Sequence, residues 1–599
     1  MLLEWVDWGY IVGFFVIALV VGVWVSKTAG KSSSEFFLSG RTMPWWLLGF
    51  SMVATTFSTD TPNLVTDIVR QKGVSGNWLW WAFLLTGMLT VFIYAKLWRR
   101  SKVLTDIEFY EIRYSGKTAA FLRGFRALYL GIFFNIMVMA AVSLAAIKIG
   151  NVMLGFTPLQ SILVASLVTV VFSALGGLKG VLLTDFLLFI AAMVGAIAAA
   201  VVAVHHPDVG GLKNLFSHPN VAGKLSLIPR FDFSSEESTG LLVSVFIIPI
   251  AVQWWSVWYP GSEPGGGGYL AQRMLAAKDE KHATGATLFF NAAHYAVRPW
   301  PWILVALCSL IVFPDLASLE AKFPHAAIGH DLAYPAMLTF LPHGLLGLVL
   351  ASLIAAYMST ISTHLNWGSS YVVNDFYKRF IRPDAPEREL VLVGRISTVL
   401  MMVVAAGLAL WLTNALQAFH ILLQIGAGTG LLFILRWFWW RVNAASELVA
   451  MVVSFTIAVY FQFVHGRIAP DSPLEDWQKL CIGVAITSVC WISTALLTKP
   501  ADDKTLRSFC RLVNAGGPGW RKVFEKARAE GDPIQPADKA ESLPLGILCM
   551  VVGCLAVYGA LFATGFWLYA NYTPAIILTV VAGASAFFLF KLWDKVNVY

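Results

Sequence analysis

Apolar stretches long enough to cross a membrane recur along almost the whole chain. The predicted spans are 7–27, 45–71, 77–98, 119–153, 158–176, 180–204, 240–261, 284–313, 332–376, 390–414, 416–438, 446–465, 477–497, 544–567 and 572–594. Most of them hold the roughly 20 apolar residues that a helix needs to cross the hydrocarbon core. With 58% hydrophobic and 13% charged residues, the composition excludes a soluble protein. We therefore predict an all-α polytopic membrane protein of about fifteen transmembrane helices.

Basic side chains gather in the loops after the third and ninth spans and in the loop 498–543. They are Lys96, Arg99, Arg100, Lys102, Lys378, Arg379, Arg382, Arg388, Arg507, Arg511, Arg521, Lys522, Lys526 and Arg528. In the predicted topology these loops share one side, which the positive-inside rule makes cytoplasmic. We predict a multi-pass protein of the cell (plasma or inner) membrane, with its N-terminus outside and its C-terminus in the cytoplasm. The net charge of +8 follows from these loops and does not indicate nucleic-acid binding.

The start of the chain and its cysteines predict neither a cleaved leader nor a metal centre. Glu4 and Asp7 stand where a signal peptide carries basic residues, so we expect the first span to be retained. The six cysteines lack metal-type spacing, and we expect neither disulfides nor zinc. The chain shows no paired carboxylates, metal cluster or nucleophile motif, so we predict that it is not an enzyme and has no organic cofactor.

The second span contains a dense run of polar residues. The run is Thr55, Thr56, Ser58, Thr59, Asp60, Thr61, Pro62 and Asn63. Hydrocarbon offers no partner to a carboxylate or an open carbonyl, so this segment must line a protected polar cavity. Pro62 lacks an N–H and disturbs the helix, which frees carbonyl groups between Ala54 and Ser58. A packing kink would account for the hydroxyl groups alone. Asp60 favours a transport site.

The ninth span carries a second polar face, made of hydroxyl groups. Ser359, Thr360, Ser362 and Thr363 follow Ala355 and Ala356 in the sequence. The helical period places Ser359, Ser362 and Thr363 on one face. Small and hydroxylated residues also mark close helix crossings, so this face alone leaves both interpretations open. Two polar segments in one chain favour a site for a hard cation such as sodium.

Two isolated charges lie inside predicted spans. Asp185 is expected about one turn inside the cytoplasmic end of its helix, where it could receive a departing cation or pair with Lys179. Arg298 lies near the middle of the eighth span. It could pair with Asp60 or bind an anionic substrate, and the sequence leaves both open.

Aromatic residues precede a predicted break in the seventh span. Trp254, Trp255, Trp258 and Tyr259 are followed by Pro260 and by four glycines at 265–268. The glycines lack the Gly-Lys-Ser/Thr ending of a phosphate-binding loop. The aromatic side chains suit either substrate stacking or a belt at the membrane interface.

Four segments carry a resemblance to a known family. They are 34–41 (SEFFLSGR), Gly176-Gly177 with Thr184-Asp185, 272–278 (QRMLAAK) and 355–360 (AAYMST). On these segments the chain resembles the sodium:solute symporter family, which includes bacterial proline and galactose symporters and the sodium/glucose cotransporters. The resemblance covers most of the chain.

The resemblance implies a LeuT-type fold of two inverted five-helix repeats, each beginning with a broken helix. One extra helix precedes this core and about four follow it. The implied units are 1–44 with the extra helix and a cytoplasmic loop, 45–204 as the first repeat, 205–239 as an extracellular loop, 240–438 as the second repeat, and 439–599 with the extra C-terminal helices and the loop 498–543.

The resemblance also implies a sodium site and a substrate cavity. The implied sodium site comprises the carbonyls of Ala54, Phe57 and Ala356 and the hydroxyls of Ser359 and Thr360, with Asp185 as the nearby carboxylate. The implied substrate positions are Ser58, Asp60, Thr61, Ser256 and Tyr259. The insert from Pro260 to Gly268 departs from the family pattern and weakens the assignment of Tyr259. Arg298 completes the candidate substrate residues on the strength of its position in the membrane.

These observations predict a sodium-coupled symporter that imports a small organic solute by alternating access, with sodium, the solute and the lipid bilayer as its partners. Proton coupling through Asp60, His294 or Asp185 is the first alternative. A membrane-embedded sensor is the second, and 498–543 would be its only extra domain; that segment is basic and Pro-containing, and we expect a linker. The sequence leaves open whether the solute is an amino acid, a sugar or another metabolite, and what the oligomeric state is.

Overall fold

A computed structural model describes residues 3–29, 37–257, 264–324, 326, 328–412, 420, 422–470, 473–534 and 543–596. Across these residues the regular elements are helices, and the one isolated β-bridge joins Met43 and Ala277. The main helices of the first half are α1 (Trp5–Ala29), α2 (Trp45–Thr55), α3 (Asp60–Lys72), α4 (Val74–Ser101), α5 (Phe109–Arg113), α6 (Gly116–Leu154), α7 (Pro158–Val204) and α8 (236–251), and two short helices, Leu212–Ser217 and Pro219–Ala222, lie between α7 and α8. The second-half helices are α9 (Gly268–Ala276), α10 (Glu280–Val312), α11 (Leu316–Lys322), α12 (Ala333–Leu338), α13 (Leu345–Ile381), α14 (Glu387–Ala409), α15 (Gly430–Leu435), α16 (Ala444–Ile468), α17 (Asp476–Leu497), α18 (Asp503–Val513), α19 (Arg521–Ala529), α20 (Leu543–Leu568) and α21 (Tyr572–Val596).

The all-helical membrane architecture agrees with the prediction from the sequence. Ten helices among the described residues are long and apolar enough to cross a membrane, and shorter apolar segments lie in α1, in α2 and at the start of α7. The exact number of fifteen spans and the pattern of inverted repeats remain predictions.

The two predicted helix breaks are present. In the second span α2 ends at Thr55 and α3 begins at Asp60. Pro62 is the third residue of α3, where its missing N–H costs little because the first turn of a helix has no acceptors for its N–H groups. In the seventh span α8 ends at residue 251, and the next α-helix among the described residues, α9, begins at Gly268; residues 258–263 lie outside the described part.

Three predicted span boundaries are wrong. The spans 158–176 and 180–204 form the single helix α7, because Gly176 and Gly177 keep a helical backbone. The span 332–376 is divided by a turn before α13, where Gly344 has a φ of +83°. The span 416–438 is interrupted at Gly428, whose φ is +81°, although residues 413–419 and 421 lie outside the described part. Hydropathy averaged over a window does not register such local backbone geometry.

The described part of the loop, residues 498–534, is folded and is not the linker that its composition predicted. It contains α18 and α19, which dock on the bundle through buried aromatic residues. The indole N–H of Trp520 donates to the carbonyl of Trp437 at 2.9 Å, and Phe509 packs against the same tryptophan. The buried aromatic side chains of α18 and α19 give this segment an apolar core that its charged composition did not suggest.

Contacts join most of the basic loops at one end of the bundle, which we call the basic end. Arg99 Nε donates to the carbonyl of Ala277 at 2.7 Å, and Met43 pairs with the same residue, so the start of α2 lies here. Helices α2 and α3 run from this end to Arg70, whose guanidinium bonds the carbonyl of Phe313 at 2.7 Å. We call that opposite end the far end.

Candidate functional site

The break between α2 and α3 exposes backbone carbonyl groups in the interior of the protein. Phe57 N donates to the carbonyl of Ala54 at 3.3 Å, and Thr61 N donates to the carbonyl of Ser58 at 3.3 Å. Residues 56–59 lie outside both helices. Their carbonyls therefore stand outside the regular helical ladder and can bind other groups.

Thr360 of α13 binds this break directly. Its hydroxyl donates to the carbonyl of Thr55 at 3.0 Å and to that of Phe57 at 3.2 Å. Ala54 and Ala356 are each 2% exposed, and Ala356 lies one turn before Thr360 on α13. The structure thus brings two of the predicted sodium ligands, the Thr360 hydroxyl and the Phe57 carbonyl, into contact.

Ser359, the neighbouring predicted ligand, points to Asp185. Its hydroxyl donates to Asp185 Oδ1 at 2.5 Å, and Ser51 of α2 donates to Asp185 Oδ2 at 2.5 Å. The prediction that Asp185 lies one turn from a helix end is wrong, because α7 continues past it in both directions. Its described partners come from α2, α9 and α13 and do not include Lys179, so Asp185 belongs to the buried site.

Arg273 is part of this cluster, and the sequence analysis missed it. Its guanidinium is fully buried and donates to Thr363 Oγ1 at 2.8 Å, to Ser51 Oγ at 3.1 Å and to Thr55 Oγ1 at 3.2 Å. Its Nη2 lies 3.9 Å from Asp185 Oδ2. The motif QRMLAAK contained the signal, since a buried arginine needs a carboxylate partner.

A cavity of about 100 Å³ adjoins the break. Its polar wall consists of Thr55, Thr56, Ser58, Asp60, Thr61, His294, Arg298, Thr360 and His364. Ser58, Asp60, Thr61 and Arg298 were predicted substrate positions, and the structure brings all four together. Trp80 supplies an aromatic wall that the sequence did not indicate. The buried Ser58 hydroxyl has no hydrogen-bond partner among the described residues, which leaves it available to a ligand.

Arg298 holds the broken segment from the other side. Its guanidinium donates to the carbonyl of Val53 at 3.0 Å and to that of Thr56 at 3.2 Å. It also lies 5.6 Å from the ring centre of Phe57. Arg298 therefore satisfies carbonyls freed by the break, a role that the sequence analysis did not propose. It also lies within electrostatic range of Asp60.

The predicted substrate positions of the seventh span are not part of the described cavity wall. The Ser256 hydroxyl donates to the carbonyl of Val252 at 3.3 Å. Its backbone lies against Gly430, where an added Cβ would come within 2.9 Å of the Ser256 Cα. Ser256 is thus committed to helix packing instead of the cavity. Tyr259 lies outside the described residues.

The family is decided by a match over most of the chain. A model of the sodium:solute symporter family matches residues 36–454. The chain belongs to the sodium:solute symporter family. The sodium/glucose cotransporter of Vibrio parahaemolyticus is 26% identical over 505 residues, covering 82% of this chain and 90% of the relative. The sodium/myo-inositol cotransporter 2 of Sus scrofa is 26% identical over 537 residues, covering 83% and 77%.

A solved structure of a Na⁺-coupled sialic acid symporter, in a substrate-bound outward-open state, has the same fold as this family member. The TM-score is 0.66 at 21% identity, and the alignment covers 83% of this chain and 99% of the symporter. Membership of the family makes the chain a multi-pass membrane protein among sodium-coupled transporters.

Proposed function

We propose that this chain is a sodium-coupled symporter that imports a small polyhydroxylated solute across the cell membrane. The observation that carries the proposal is the contact of Thr360 with the carbonyls of Thr55 and Phe57, directly beside the cavity. Carbonyl and hydroxyl oxygens are the ligands that hard cations prefer. A sodium ion at this point would join the broken second span to α13.

The proposed sodium ligands are the carbonyls of Ala54, Phe57 and Ala356 with the hydroxyls of Ser359 and Thr360. Thr360 now donates to carbonyls, so its hydroxyl would rotate to turn a lone pair toward the ion. Asp185 would balance the ion's charge through Ser359, its hydrogen-bonded neighbour. The guanidinium of Arg273, 3.9 Å from Asp185, already compensates part of the negative charge of this carboxylate. When sodium binds, Asp185 would interact with two cations, the ion and Arg273.

Coupling follows from the shared broken segment. Phe57 of the proposed sodium site lies three residues before Asp60 of the cavity wall. An ion that fixes the carbonyl of Phe57 also fixes the positions of Ser58 and Asp60, and so completes the solute site. Sodium would then raise the affinity for the solute, and the solute the affinity for sodium, by the same factor.

The cavity chemistry supports a hydroxylated solute. Ser58, Asp60 and Thr61 offer hydroxyl and carboxylate oxygens, and Trp80 offers a flat apolar wall. Such a mixture of few polar groups and apolar surface suits a compact polar ligand. The related sodium/glucose and sodium/myo-inositol cotransporters are named for solutes of this class. Arg298 adds a positive charge to the cavity wall, and this charge would favour a solute with a carboxylate, such as a sugar acid or an amino acid, as the competing substrate class.

We extend the proposal to topology. Two inverted five-helix repeats would occupy 45–204 and 240–438, with the N-terminus outside and the C-terminus in the cytoplasm. The 47 residues of α7 would supply the fourth and fifth spans of the first repeat. The breaks at 56–59 and after residue 251 support two repeats that begin alike. The clustering of basic loops at one end supports a cytoplasmic basic end.

Uptake by purified protein in proteoliposomes tests the proposal. A sodium gradient should drive accumulation of one compound from a panel of glucose, myo-inositol, a sugar acid and an amino acid, and a potassium gradient should not. Replacing Ser359 and Thr360 by Ala should abolish sodium-driven uptake without loss of folded protein. The matched control replaces Ser369 and Ser370 by Ala, because their hydroxyls bond carbonyls of their own helix α13, and this variant should keep sodium-driven uptake. Normal uptake in the first double variant would refute the sodium site.

Proton coupling is the second candidate, because three titratable side chains occur at the site. Asp60 and His294 line the cavity, and Asp185 lies beside Ser359. Uptake that ignores sodium but collapses with a protonophore would favour it. Asp60→Asn and Asp185→Asn would then identify the proton carrier.

A further inference from the structure

Lys148 and Asp331 form a buried ion pair between the cavity and the far end. Lys148 Nζ lies 2.6 Å from Asp331 Oδ2, and the two side chains are 2% and 1% exposed. Lys148 follows the cavity residue Val142 by six residues on α6, a rise of about 9 Å. Asp331 lies in the turn before α12. The pair thus ties this turn to a helix that walls the cavity.

The preceding residue of the same turn is tied to a second wall of the cavity. Arg70 Nε of α3 donates to His330 Nδ1 at 3.3 Å. Leu64 and Val65, earlier on α3, line the cavity. Residues 329–332, which we call the outer turn, therefore bridge α3 and α6 on the far-end side of the cavity.

A second buried carboxylate lies within electrostatic range of the same ammonium group. Asp67 of α3 is fully buried, and its Oδ1 accepts from Gln71 Nε2 at 2.5 Å. Asp67 lies within electrostatic range of both Lys148 and Asp331. Its Oδ2 and the Oδ1 of Asp331 have no hydrogen-bond partner among the described residues. One lysine therefore contacts one carboxylate and has a second within electrostatic range, and each carboxylate has an oxygen without a hydrogen-bond partner among the described residues.

We propose that Lys148 exchanges carboxylates as the outer turn moves, binding Asp331 when the turn closes the cavity and Asp67 when the turn lifts. If the turn lifted without a second partner, the ammonium of Lys148 would remain buried and uncompensated, which is strongly unfavourable. Asp67 removes this penalty, because it belongs to α3 and remains near Lys148 when the outer turn moves away. The exchange of partners therefore allows the turn to occupy both positions. The inference rests on the proposed transport function, which requires the cavity to open toward the far end.

This arrangement predicts opposite effects for two isosteric substitutions. D331N weakens the closed position, so the cavity should be accessible from the far end more often. D67N removes the partner of Lys148 in the open position, so accessibility should fall. Two carboxylates that served folding alone would not give changes of opposite sign.

Labelling of a cysteine in the cavity wall measures this accessibility. A141C is treated with a membrane-impermeant thiol reagent in right-side-out and inside-out vesicles, and the labelling of the parent protein, with its six native cysteines, is subtracted. From the far-end side we expect about a fivefold faster rate in D331N and about a fivefold slower rate in D67N. D208N, at an aspartate whose side chain is 65% exposed, is the matched control and should label at the parental rate. Changes of the same sign, or no change, would overturn the proposal.

A second comparison covers the case in which D331N is not recovered folded. K148M removes the shared ammonium, so it should speed labelling, and D67N should then have no further effect in that background. A full effect of D67N without Lys148 would refute the exchange. The labelling needs neither sodium nor solute, so its result is separate from that of the uptake assay.

Discussion

The hydroxyl of Thr360 lies 3.2 Å from the carbonyl oxygen of Phe57, and this contact joins α13 to the unwound segment between α2 and α3. The two residues are 303 positions apart in the chain. Phe57 belongs to a broken helix and Thr360 to a continuous one. A cation placed between them would therefore couple a deformable segment to a rigid helix.

Removing the Thr360 hydroxyl should weaken sodium binding. T360V keeps the shape of the side chain but leaves the carbonyls of Thr55 and Phe57 without this donor and the ion without one ligand. We expect the sodium concentration for half-maximal uptake to rise by about tenfold, which corresponds to about 1.4 kcal/mol. Uptake measured against sodium concentration gives this value. T184V is the control, since among the described residues the Thr184 hydroxyl bonds carbonyls of its own helix, those of Gly180 and Val181. An unchanged sodium dependence in T360V would contradict the assignment.

Replacing Arg298 by lysine should destabilise the protein. A lysine ammonium cannot reproduce the planar fork that donates to the carbonyls of Val53 and Thr56. We expect the free energy of unfolding to fall by about 1–3 kcal/mol, because buried carbonyls lose charged donors. Thermal unfolding in detergent measures this change. R467K, at an exposed arginine, should leave the unfolding midpoint unchanged, and an equal shift in both variants would refute the role of Arg298.

Acid should weaken the attachment of the outer turn. Burial, together with the charges of Arg70 and Lys224, lowers the pKa of His330 below its ordinary value of 6.5. The unfolded chain therefore binds a proton at His330 more readily than the folded protein does. The stability contributed by neutral His330 is complete above pH 6.5 and is lost as the pH falls toward the lowered pKa.

The thermal unfolding midpoint between pH 7.5 and 5 checks this sign. The wild-type midpoint should fall more steeply with acid than that of H330Q, which keeps a hydrogen-bond acceptor but does not titrate in this range. Parallel curves for the two proteins would show that His330 does not contribute.

Removing Trp520 should detach the helices α18 and α19 from the bundle. Trp520 is fully buried, and the guanidinium of Arg113 lies 4.9 Å from its ring centre. Truncating a buried tryptophan costs about 3–5 kcal/mol, so W520A should open this segment locally. We expect trypsin to cleave within 498–534 at least about tenfold faster, because proteolysis follows the population of the open form. W411A is the control at a tryptophan that is 86% exposed. Equal cleavage rates in both variants would contradict the docking role.

The sequence alone predicted the membrane class, the two helix breaks and the polar residues that line the cavity. Asp60, Ser58 and Thr61 are polar residues inside an apolar run, and hydrocarbon excludes such groups unless the protein shelters them. Their place in a protected cavity therefore follows from local composition. Phe57 and Thr360 were predicted as sodium ligands through the resemblance to the family, and the contact between them agrees with that pairing.

Only the tertiary structure decided which partners these groups have. Arg273 and Ser51 reach Asp185 across 88 and 134 residues of chain, and no periodicity within one helix reports such a contact. Likewise, the backbone of Ser256 packs against Gly430, a residue far along the chain, and no local pattern indicates this contact. The helical backbone at Gly176 and Gly177 likewise depends on neighbours, since glycine permits a break without requiring one. The sequence determined which residues must be sheltered from lipid, and packing between distant helices determined what each of them binds.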